Sequence, residues 1–406
     1  MRFCFPGVLP VLIGPRLLRP LFAVLRWVAP ILTFGNKAVV SRYADVVDVL
    51  TRDTDFTVSQ INAPKIDQLD GPFILGMDRG PQYEREQGAL RAAVLPGDLT
   101  RIGAFVASEA AGLIGAARPR GQIDVVNDYA RVVAVRLVGS YFGMPGPTEA
   151  AMMEWLRDIF YDVFLNLTND KNVHAKAMAS GNALRDHMNA VIAQRNAEPP
   201  ASAPPDDVLR RLLALRGPER PWLDDDTVRR NLSGLLVGAV ETTSKFTVLA
   251  LGELLKRPDE LARARAAALA GDLATVKRYT YEAARFNPHT PLLFRYAAHE
   301  TTLAAGTPRA HTIKAGTTVL LGNISAMFDF EGFRKPGTFR IDHDSEKLHF
   351  GYGLHQCFGV AINGVQIPEL MAALLRLPNL RLAPGEAGCV PYYGPFPTRM
   401  LVEFDG

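Results

Sequence analysis

The amino-acid sequence predicts a mostly α-helical protein with a small mixed β-sheet, built as a single domain over residues 1–406. Apolar residues recur with helical spacing through most of residues 101–285. Runs with strand character are short and lie at residues 38–40, 317–321 and 400–404. No change of composition marks a domain boundary, although a length of 406 residues would by itself suggest two or three domains.

The N-terminal segment, residues 1–35, is apolar but is interrupted by prolines and arginines. Its longest uncharged run, residues 3–15, is shorter than the roughly 18 residues expected of a membrane-spanning helix. Residues 16–27 lie on a membrane surface, line the entrance for substrate or pack on the sheet, and the last arrangement is favoured. The expected location is therefore the cytoplasm, with association at a membrane surface as the alternative.

Further helices are predicted at residues 125–142 and 152–164. The proline-rich residues 198–207 are predicted to be a surface loop, because Asp206 and Asp207 then open another amphipathic helix.

An apolar stretch at residues 232–251 is long enough for a central helix, yet it is interrupted by Glu241, Thr242, Thr243 and Ser244. Polar residues in an apolar helix are costly unless they serve hydration or chemistry. A threonine can donate to the carbonyl group one turn earlier and open the helix locally. The cluster therefore indicates a functional helix, with a solvated helix face as the alternative.

The net charge of +3 is too small to favour a nucleic-acid ligand. The three cysteines, Cys4, Cys357 and Cys389, are sparse and odd in number. They predict no disulfide framework and suit a reducing compartment.

Cys357 lies in the glycine-rich run of residues 350–359. A thiolate donates electron density to iron and, opposite bound oxygen, favours cleavage of the O–O bond. Keeping the sulfur deprotonated requires N–H donors close to it and exclusion of water. Gly351, Gly353 and Gly359 would let the backbone approach the sulfur with unusual dihedral angles. The run predicts a haem-iron ligand, and the alternative is a small buried cysteine in a turn.

This run resembles the haem-binding signature of the cytochrome P450 superfamily, Phe-Gly-x-Gly-x-His-x-Cys-x-Gly, at every specified position. The resemblance extends from about Val39 to the C-terminus and implies haem b as the cofactor. It implies that Cys357 is the axial ligand of the iron, that His355 contacts a haem propionate and that Phe350 packs beside the sulfur.

Two further residues match the Glu-x-x-Arg helix of this family: Glu282 and Arg285, whose spacing places both on one helix face. The resemblance implies a structural ion pair there and a propionate-binding role for Arg295. In the helix that usually offers a histidine and an arginine to a propionate, the chain has Tyr83 and Gln87. Tyr83 is expected to supply one hydrogen bond, whereas Gln87 supplies no charge.

Residues 238–243 resemble the family's motif (Ala/Gly)-Gly-x-(Asp/Glu)-Thr-(Thr/Ser), with Ala239 in place of the usual glycine. The resemblance implies that Glu241 and Thr242 are the catalytic acid and alcohol that deliver protons to oxygen. It also implies a set of mostly apolar substrate-pocket residues, which fits a hydrophobic small molecule. They are Ile61, Leu69, Phe73, Ile74, Phe160, Phe164, Leu236, Val240, Leu292, Leu293, Tyr393 and Phe396.

The activity implied is a monooxygenase that inserts one oxygen atom from O2 into a lipid, fatty acid or terpenoid-like molecule. The electrons are expected from a ferredoxin or flavodoxin with its reductase, because the motifs leave no room for a flavin or iron–sulfur module. Four cations that precede the cysteine are expected to form a positive face for an acidic redox partner. They are Arg334, Lys335, Arg340 and Lys347.

Two other functions remain open from the sequence. Residues 71–78 and 394–397 resemble cytochrome P450 domains joined to fatty-acid dioxygenases, which suggests a fatty-acid hydroperoxide isomerase or peroxygenase. A haem sensor or carrier without catalytic activity is the third class. Glu241 and Thr242 favour the monooxygenase over both, because protonation of dioxygen needs an acid and an alcohol.

Overall fold

The computed structural model describes residues 15–198, 206–343 and 347–406. The chain divides into two compact units. The first, here called the sheet unit, consists of Met1–Ile61, Ala110–Tyr129 and Lys245–Gly406. The second, here called the helical unit, consists of Asn62–Glu109 and Ala130–Ser244. Every strand of the described residues belongs to the sheet unit.

The main sheet has five strands in the order β1-β2-β8-β5-β3. Strands β2 and β8 run parallel and the other neighbours run antiparallel, so the sheet is mixed as predicted. A second sheet has the order β4-β12-β9, and two hairpins pair β6 with β7 and β10 with β11. The strands are β1 Ile31–Phe34, β2 Lys37–Val40, β3 Phe56–Thr57, β4 Gln122–Asp124, β5 Leu293–Ala297, β6 Thr301–Leu303, β7 His311–Ile313, β8 Thr318–Leu321, β9 Arg381–Leu382, β10 Tyr392–Tyr393, β11 Phe396–Pro397 and β12 Leu401–Glu403.

The remaining ordered elements are mostly helices, which confirms the predicted fold class. They are α1 Pro15–Val28, α2 Tyr43–Thr51, α3 Ser59–Leu69, α4 Pro81–Ala93, α5 Leu99–Ala117, α6 Arg131–Tyr141, α7 Glu149–Phe164, α8 Lys171–Ala197, α9 Val208–Ala214, α10 Asp225–Leu255, α11 Pro258–Leu269, α12 Leu273–Phe286, α13 Asn323–Ala326 and α14 Val360–Leu375. A π-helical turn, Val125–Ala130, precedes α6.

Side-chain caps fix the starts of three helices in the helical unit. Thr148 accepts from the N–H of Ala151 at the start of α7, and Asp170 caps α8 in the same way. Asp207 accepts from the N–H of Arg210 and starts α9, as the sequence predicted. Of the predicted loop at residues 198–207, residues 199–205 lie outside the described residues.

The core of the sheet unit is apolar and forms where the main sheet meets α2 and the segment before the cysteine run. Val40, Val319 and Leu321 are fully buried on the sheet and pack with Phe56 and Phe333. Burial of apolar surface of this kind contributes roughly 25 cal/mol for each Å² removed from water.

Helix α1 has two apolar faces. Leu18 and Phe22 are buried and pack against Ile324, which confirms that part of this helix packs on the sheet unit. The opposite face exposes four large apolar side chains that recur at i, i+4, i+7 and i+11, which places them on one stripe of the helix. They are Leu17, Leu21, Val24 and Val28, with exposed fractions of 45%, 51%, 60% and 78%.

The cysteines require a correction. Cys357 is free, but Cys389 is disulfide-bonded, which the interpretation of the cysteines as suited to a reducing compartment did not predict. The expected boundary of one domain over residues 1–406 stays a prediction.

A fully buried ion pair on α12 joins several segments of the sheet unit. Arg285 donates to both carboxylate oxygens of Glu282 over 3.0 Å and 2.7 Å. The same guanidinium also donates to the carbonyl groups of Met327, Pro336 and Thr338. Each donor of the side chain is therefore used to fix the irregular chain that leads to the cysteine run.

The Glu282 carboxylate has a further donor in the backbone N–H of Arg340, at 2.9 Å. The ring of His343 places Nε2 3.5 Å from the same carboxylate. Burial lowers the pKa of His343, so this ring adds little positive charge at neutral pH.

We expect Arg285→Leu to lower the free energy of unfolding by about 3–5 kcal/mol, because the Glu282 carboxylate would remain buried without its cation. Urea unfolding followed by circular dichroism measures the change. The matched control is Arg278→Leu, an exposed arginine on the same helix, for which we expect a change within about 0.5 kcal/mol. Equal losses in the two variants would contradict the structural role of the pair.

Candidate active site

A tight turn at Leu348–Phe350 leads into the cysteine run, and a second turn lies within it at Gly353–His355. The backbone N–H of Cys357 donates to the carbonyl group of Phe350 over 2.8 Å. The carbonyl group of Cys357 accepts from Val360, the first residue of α14. The cysteine is therefore fixed between a closed loop and the start of a helix.

The side chain of Cys357 is exposed, yet the protein packed around it raises the pKa of the thiol by desolvation. A hydrogen bond from the backbone N–H of Gly359 acts in the opposite direction and favours the thiolate. The N–H donor favours the thiolate form that binds metals, whereas the desolvation favours the neutral thiol.

Two glycines of this loop have backbone conformations that other residues rarely adopt. Gly351 and Gly353 both have φ of +70°, and a Cβ at Gly353 would also collide with the carbonyl oxygen of Leu50. The prediction of unusual dihedral angles is wrong for the third glycine, Gly359, whose φ is −81°. A Cβ there would lie 4.0 Å from the Cys357 sulfur, an ordinary van der Waals contact, so the space around the sulfur does not require a glycine either.

The donor set fits a haem-thiolate group. It contains an accessible thiol and an N–H donor to its sulfur. Phe350 stacks on Phe246, with ring centroids 5.8 Å apart and planes 4° apart, so this side of the loop is lined by rigid aromatic rings.

The residues expected to contact propionates occupy different surroundings. Arg295 is buried on β5 and donates to the carbonyl group of Phe294 over 2.8 Å, and His355 is half-buried. In the helical unit, Tyr83 is buried on α4 and accepts a hydrogen bond from Gln87 over 2.6 Å. Gln87 thus orients the tyrosine, which the sequence did not predict.

Helix α10 is buried over residues 227–254 except along one stripe. The stripe follows the spacing i, i+1, i+4, i+5 and i+8, which is a single helix face. Its residues are Gly234, Leu235, Gly238, Ala239 and Thr242. Thr242 Oγ1 donates to the carbonyl group of Gly238, as predicted from the threonine's chemistry. The accessible middle of an otherwise buried helix is a place where small molecules can approach its backbone.

Two of the predicted pocket residues on α10 lie outside this stripe. Leu236 and Val240 have no exposed surface, because they lie two residues from Gly238 and Thr242 and so on the opposite side of the helix. Their role in a pocket stays a prediction. Phe73 and Ile74 are buried in the same unit, and the Phe73 ring packs directly on Gly234.

Glu241 is buried and is held by two arginines of the helical unit. Arg131 Nε donates to its carboxylate over 2.7 Å, and Arg157 Nε lies 3.4 Å from the same oxygen. Adjacent residues on a helix do not face each other, so Glu241 and Thr242 point to different sides of α10. The predicted acid and alcohol are neighbours in sequence, but the acid is ion-paired within the protein.

The sheet unit contains five of the predicted pocket residues, among them Leu292, Leu293 and Phe396. Leu292 packs against the cluster of Leu18, Phe22 and Ile324, and Leu293 packs against the main core. Phe396 is buried on β11, and its ring lies 4.3 Å from Nζ of Lys245.

Sequence reasoning missed the arginine partners of Glu241 and missed Lys245. Arg131 and Arg157 lie 110 and 84 positions from Glu241, so no local spacing relates them. Lys245 stands in the apolar stretch of α10 and could have been noticed for that reason. The i, i+4 spacing of Glu241 and Lys245 favours an ion pair; instead Glu241 binds arginines, and Lys245 donates to the carbonyl group of His289.

Comparisons with known proteins agree with this geometry. The family model described as Cytochrome P450 matches residues 148–395, more than half of the chain. Pulcherriminic acid synthase of Bacillus subtilis (strain 168) is 24% identical over 383 residues, which are 90% of this chain and 89% of that protein. Steroid C26-monooxygenase of Mycolicibacterium smegmatis (strain ATCC 700084 / mc(2)155) is 28% identical over 355 residues, 85% of this chain and 82% of that protein.

Among solved structures, the crystal structure of CalO2 superposes with a TM-score of 0.82 and covers 96% of each chain. The sequence identity is 23%, so this likeness shows the fold.

Two glycines of the accessible stripe should respond oppositely to alanine. A Cβ at Gly238 meets no atom within 4 Å, so Gly238→Ala should stabilise the helix by about 1 kcal/mol. A Cβ at Gly234 would overlap the Phe73 ring, so Gly234→Ala should destabilise the protein by about 1–3 kcal/mol through overpacking. Thermal unfolding of the two variants measures the difference, and shifts of the same sign would refute the assigned packing.

Proposed function

The chain belongs to the cytochrome P450 family and is a cytochrome P450 monooxygenase, and from that premise we propose which residues carry the reaction and what it consumes. It inserts one oxygen atom from O2 into a hydrophobic small molecule, such as a lipid, fatty acid or terpenoid. Its electrons come from a ferredoxin or flavodoxin with its reductase. The observation that supports this best is the accessible stripe of α10, centred on Gly238 and Thr242.

Cys357 is the proposed axial ligand of a haem b. When bound there, the haem supplies the chemistry of O2 activation. The loop holds the sulfur through the Cys357 N–H bond to Phe350 and supplies one N–H donor from Gly359. Arg295, His355 and Tyr83 are the proposed partners of the propionates.

Thr242 and Glu241 are the proposed proton route. The Thr242 hydroxyl lies on the accessible stripe and donates to the Gly238 carbonyl group, which leaves its oxygen as an acceptor. The Glu241 carboxylate is bound to Arg131 on another side of α10. It can exchange a proton with the accessible face only after its side chain leaves that arginine, so Arg131 controls how often the acid is available.

Two exposed cations support the proposed docking of an acidic redox partner. Arg340 binds Asp342 over 2.9 Å, and Lys347 lies 4.0 Å from the buried Glu282, so their charges are largely engaged. Arg334 and Lys335 are exposed. The expected four-residue positive face is therefore reduced to these two.

The outer face of α1 is the basis for a proposed contact with lipid. Beside its four exposed apolar residues, Trp27 is 75% exposed and its ring lies 6.1 Å from that of the exposed Phe330. Residues 3–14 contain no charged side chain and lead directly into this helix. A two-faced apolar helix with an exposed tryptophan, continued by an apolar chain, fits the interfacial region of a bilayer.

No spanning helix is needed for this contact. Two described stretches, Pro81–Arg120 and Asp225–Leu255, are apolar and long enough to cross a membrane by length and composition alone. Core helices of soluble proteins can have this length and composition too, and Asp225–Leu255 is mostly buried within the protein.

We expect Thr242→Ala to raise the share of reducing equivalents that is released as hydrogen peroxide, because the hydroxyl needed for proton delivery is lost. The measurement follows reductant consumption and peroxide release with a surrogate ferredoxin and reductase and a panel of hydrophobic substrates. Thr243→Ala, on the buried side of α10, is the matched control. Unchanged coupling in Thr242→Ala would remove the role proposed for this residue.

The same preparations distinguish the proposed monooxygenase from the hydroperoxide isomerase that was predicted as an alternative. Rapid and repeated conversion of a fatty-acid hydroperoxide without reductant, with the haem intact, would replace the O2-dependent reaction proposed above. Slow conversion with loss of the haem supports it.

We expect the double variant Leu21→Asp/Val24→Asp to lose binding to vesicles of phosphatidylcholine and phosphatidylglycerol, because it places charge in the apolar stripe. Vesicle sedimentation measures the bound fraction. Leu269→Asp alters an exposed leucine of α11 and should bind like the original chain. Equal binding by all three proteins, or concentration-dependent self-association that the double variant abolishes, would overturn the lipid assignment.

A further inference from the structure

A lysine on α10 is buried in the sheet unit with very few polar contacts. Lys245 has 5% of its surface exposed. Its Nζ donates to the carbonyl group of His289 over 2.6 Å and lies 4.3 Å from the centre of the Phe396 ring. An ammonium group has three N–H donors, and these contacts use one donor and the ring face.

No carboxylate within 4.0 Å pairs with Lys245 among the described residues. Burial alone lowers the pKa of Lys245 to about 7. The neighbouring titratable groups, His289 and His349, carry no negative charge. Burial lowers the pKa of His289 and brings that of His349 to about 3. Both rings are therefore neutral at pH 7, and neither can balance a positive charge.

Lys65 offers a comparison within the same chain. Its Nζ donates to the carbonyl groups of Asp162 and Asn166 over 3.0 Å and 2.6 Å, and its side chain is only half-buried. Lys245 is more deeply buried and has one carbonyl group instead of two. Burial of a charged group without a counter-charge costs several kcal/mol, so a structural lysine would be expected to resemble Lys65.

The surroundings of Lys245 are segments already expected to line the substrate pocket. Phe396 is one of the pocket residues predicted from the sequence, and His289 immediately precedes the segment with Leu292 and Leu293. Lys245 also follows Thr242 by one helical turn on α10. The amine is thus placed among apolar walls with N–H donors that the described protein does not use.

We propose that Lys245 binds the carboxylate of an apolar carboxylic acid, which defines the substrate class of this enzyme. The proposal rests on the proposed function, because it takes the segments around Lys245 as pocket walls. A single ammonium with two remaining donors matches a monoanionic carboxylate. A phosphate dianion would need more donors than the described residues around Lys245 supply.

The test compares dodecanoate with dodecanol, which share the apolar chain and differ in the anionic group. Isothermal titration calorimetry on the haem-loaded protein measures both affinities. We expect dodecanoate to bind about tenfold or more tightly than dodecanol, because a charge-assisted hydrogen bond in an apolar site is strong. In Lys245→Met, which keeps an unbranched side chain, the preference should disappear.

Lys314→Met removes an exposed lysine and is the matched control, which should keep the preference. Equal binding of the two ligands to the original chain would overturn the proposal. An unchanged preference in Lys245→Met, or no binding of either ligand, would overturn it as well.

Proton uptake gives an independent readout. At pH 8, above the lowered pKa of Lys245, binding of a carboxylate should draw about one proton onto the amine. Calorimetry in buffers with different ionisation enthalpies measures this uptake. It should be absent with dodecanol and in Lys245→Met; uptake that persists in that variant would assign the proton to another group.

The pH dependence of stability checks that the variant is folded and that the amine is buried. The pKa of Lys245 is about 7 in the folded chain and 10.5 for an ordinary lysine, so the unfolded chain binds more protons between these values. The free energy of unfolding should therefore rise as the pH increases from about 7 to about 10, and Lys245→Met should lose this rise.

Failure of this proposal and failure of the proposed function are distinguishable. The carbon-monoxide difference spectrum of the reduced protein reports the thiolate ligand, and it should be unchanged in Lys245→Met. Loss of that spectrum in the original chain would refute the haem assignment, whereas loss of the carboxylate preference alone would refute only the role of Lys245.

Discussion

The geometry of the cysteine run depends on the hydrogen bonds that the buried Arg285 guanidinium makes. It is fully buried, and the segment it must hold, from Met327 to Thr338, is mostly irregular chain with carbonyl groups that need donors. A planar group with five N–H donors can satisfy several carbonyl groups and a carboxylate at once. Glu282 provides the counter-charge that makes burial of this cation tolerable. The chain that follows the segment bound by Arg285 leads into the turns around Cys357.

Helix α10 shows how one element can be structural and functional at the same time. Most of the surface of this helix is buried. The stripe from Gly234 to Thr242 stays accessible because most of its side chains are small and the Thr242 hydroxyl is folded back onto the Gly238 carbonyl group. The acid of the same motif is turned away and bound by Arg131. If Thr242 and Glu241 have the proposed roles, proton supply would depend on a movement of the Glu241 side chain within the helical unit.

Several features of the chain oppose its stability and indicate where function has been retained. Lys245 is buried without an acid, and the outer face of α1 exposes large apolar side chains. Each would be improved by a simple substitution if folding were the only requirement. The ligands proposed above, a carboxylate at Lys245 and a lipid surface at α1, would each compensate for this cost.

The sequence by itself determined the fold class, the central helix and several other helices, three of the strands (β2, β8 and β12), and the residues of the three motifs. These follow from local spacing: helical periodicity, the i, i+3 relation of Glu282 and Arg285, and the glycines that a closed loop around Cys357 requires. The local bond from Thr242 to Gly238 followed from the same kind of reasoning. The tertiary structure decided which face of each helix meets which partner. It placed Leu236 and Val240 in the core, gave Glu241 two arginines remote in sequence, buried Lys245 against Phe396 and left one side of α1 exposed. These outcomes depend on contacts between residues that are far apart along the chain. Local periodicity fixes only which residues share a face of a helix, whereas packing decides whether that face is buried, paired or open.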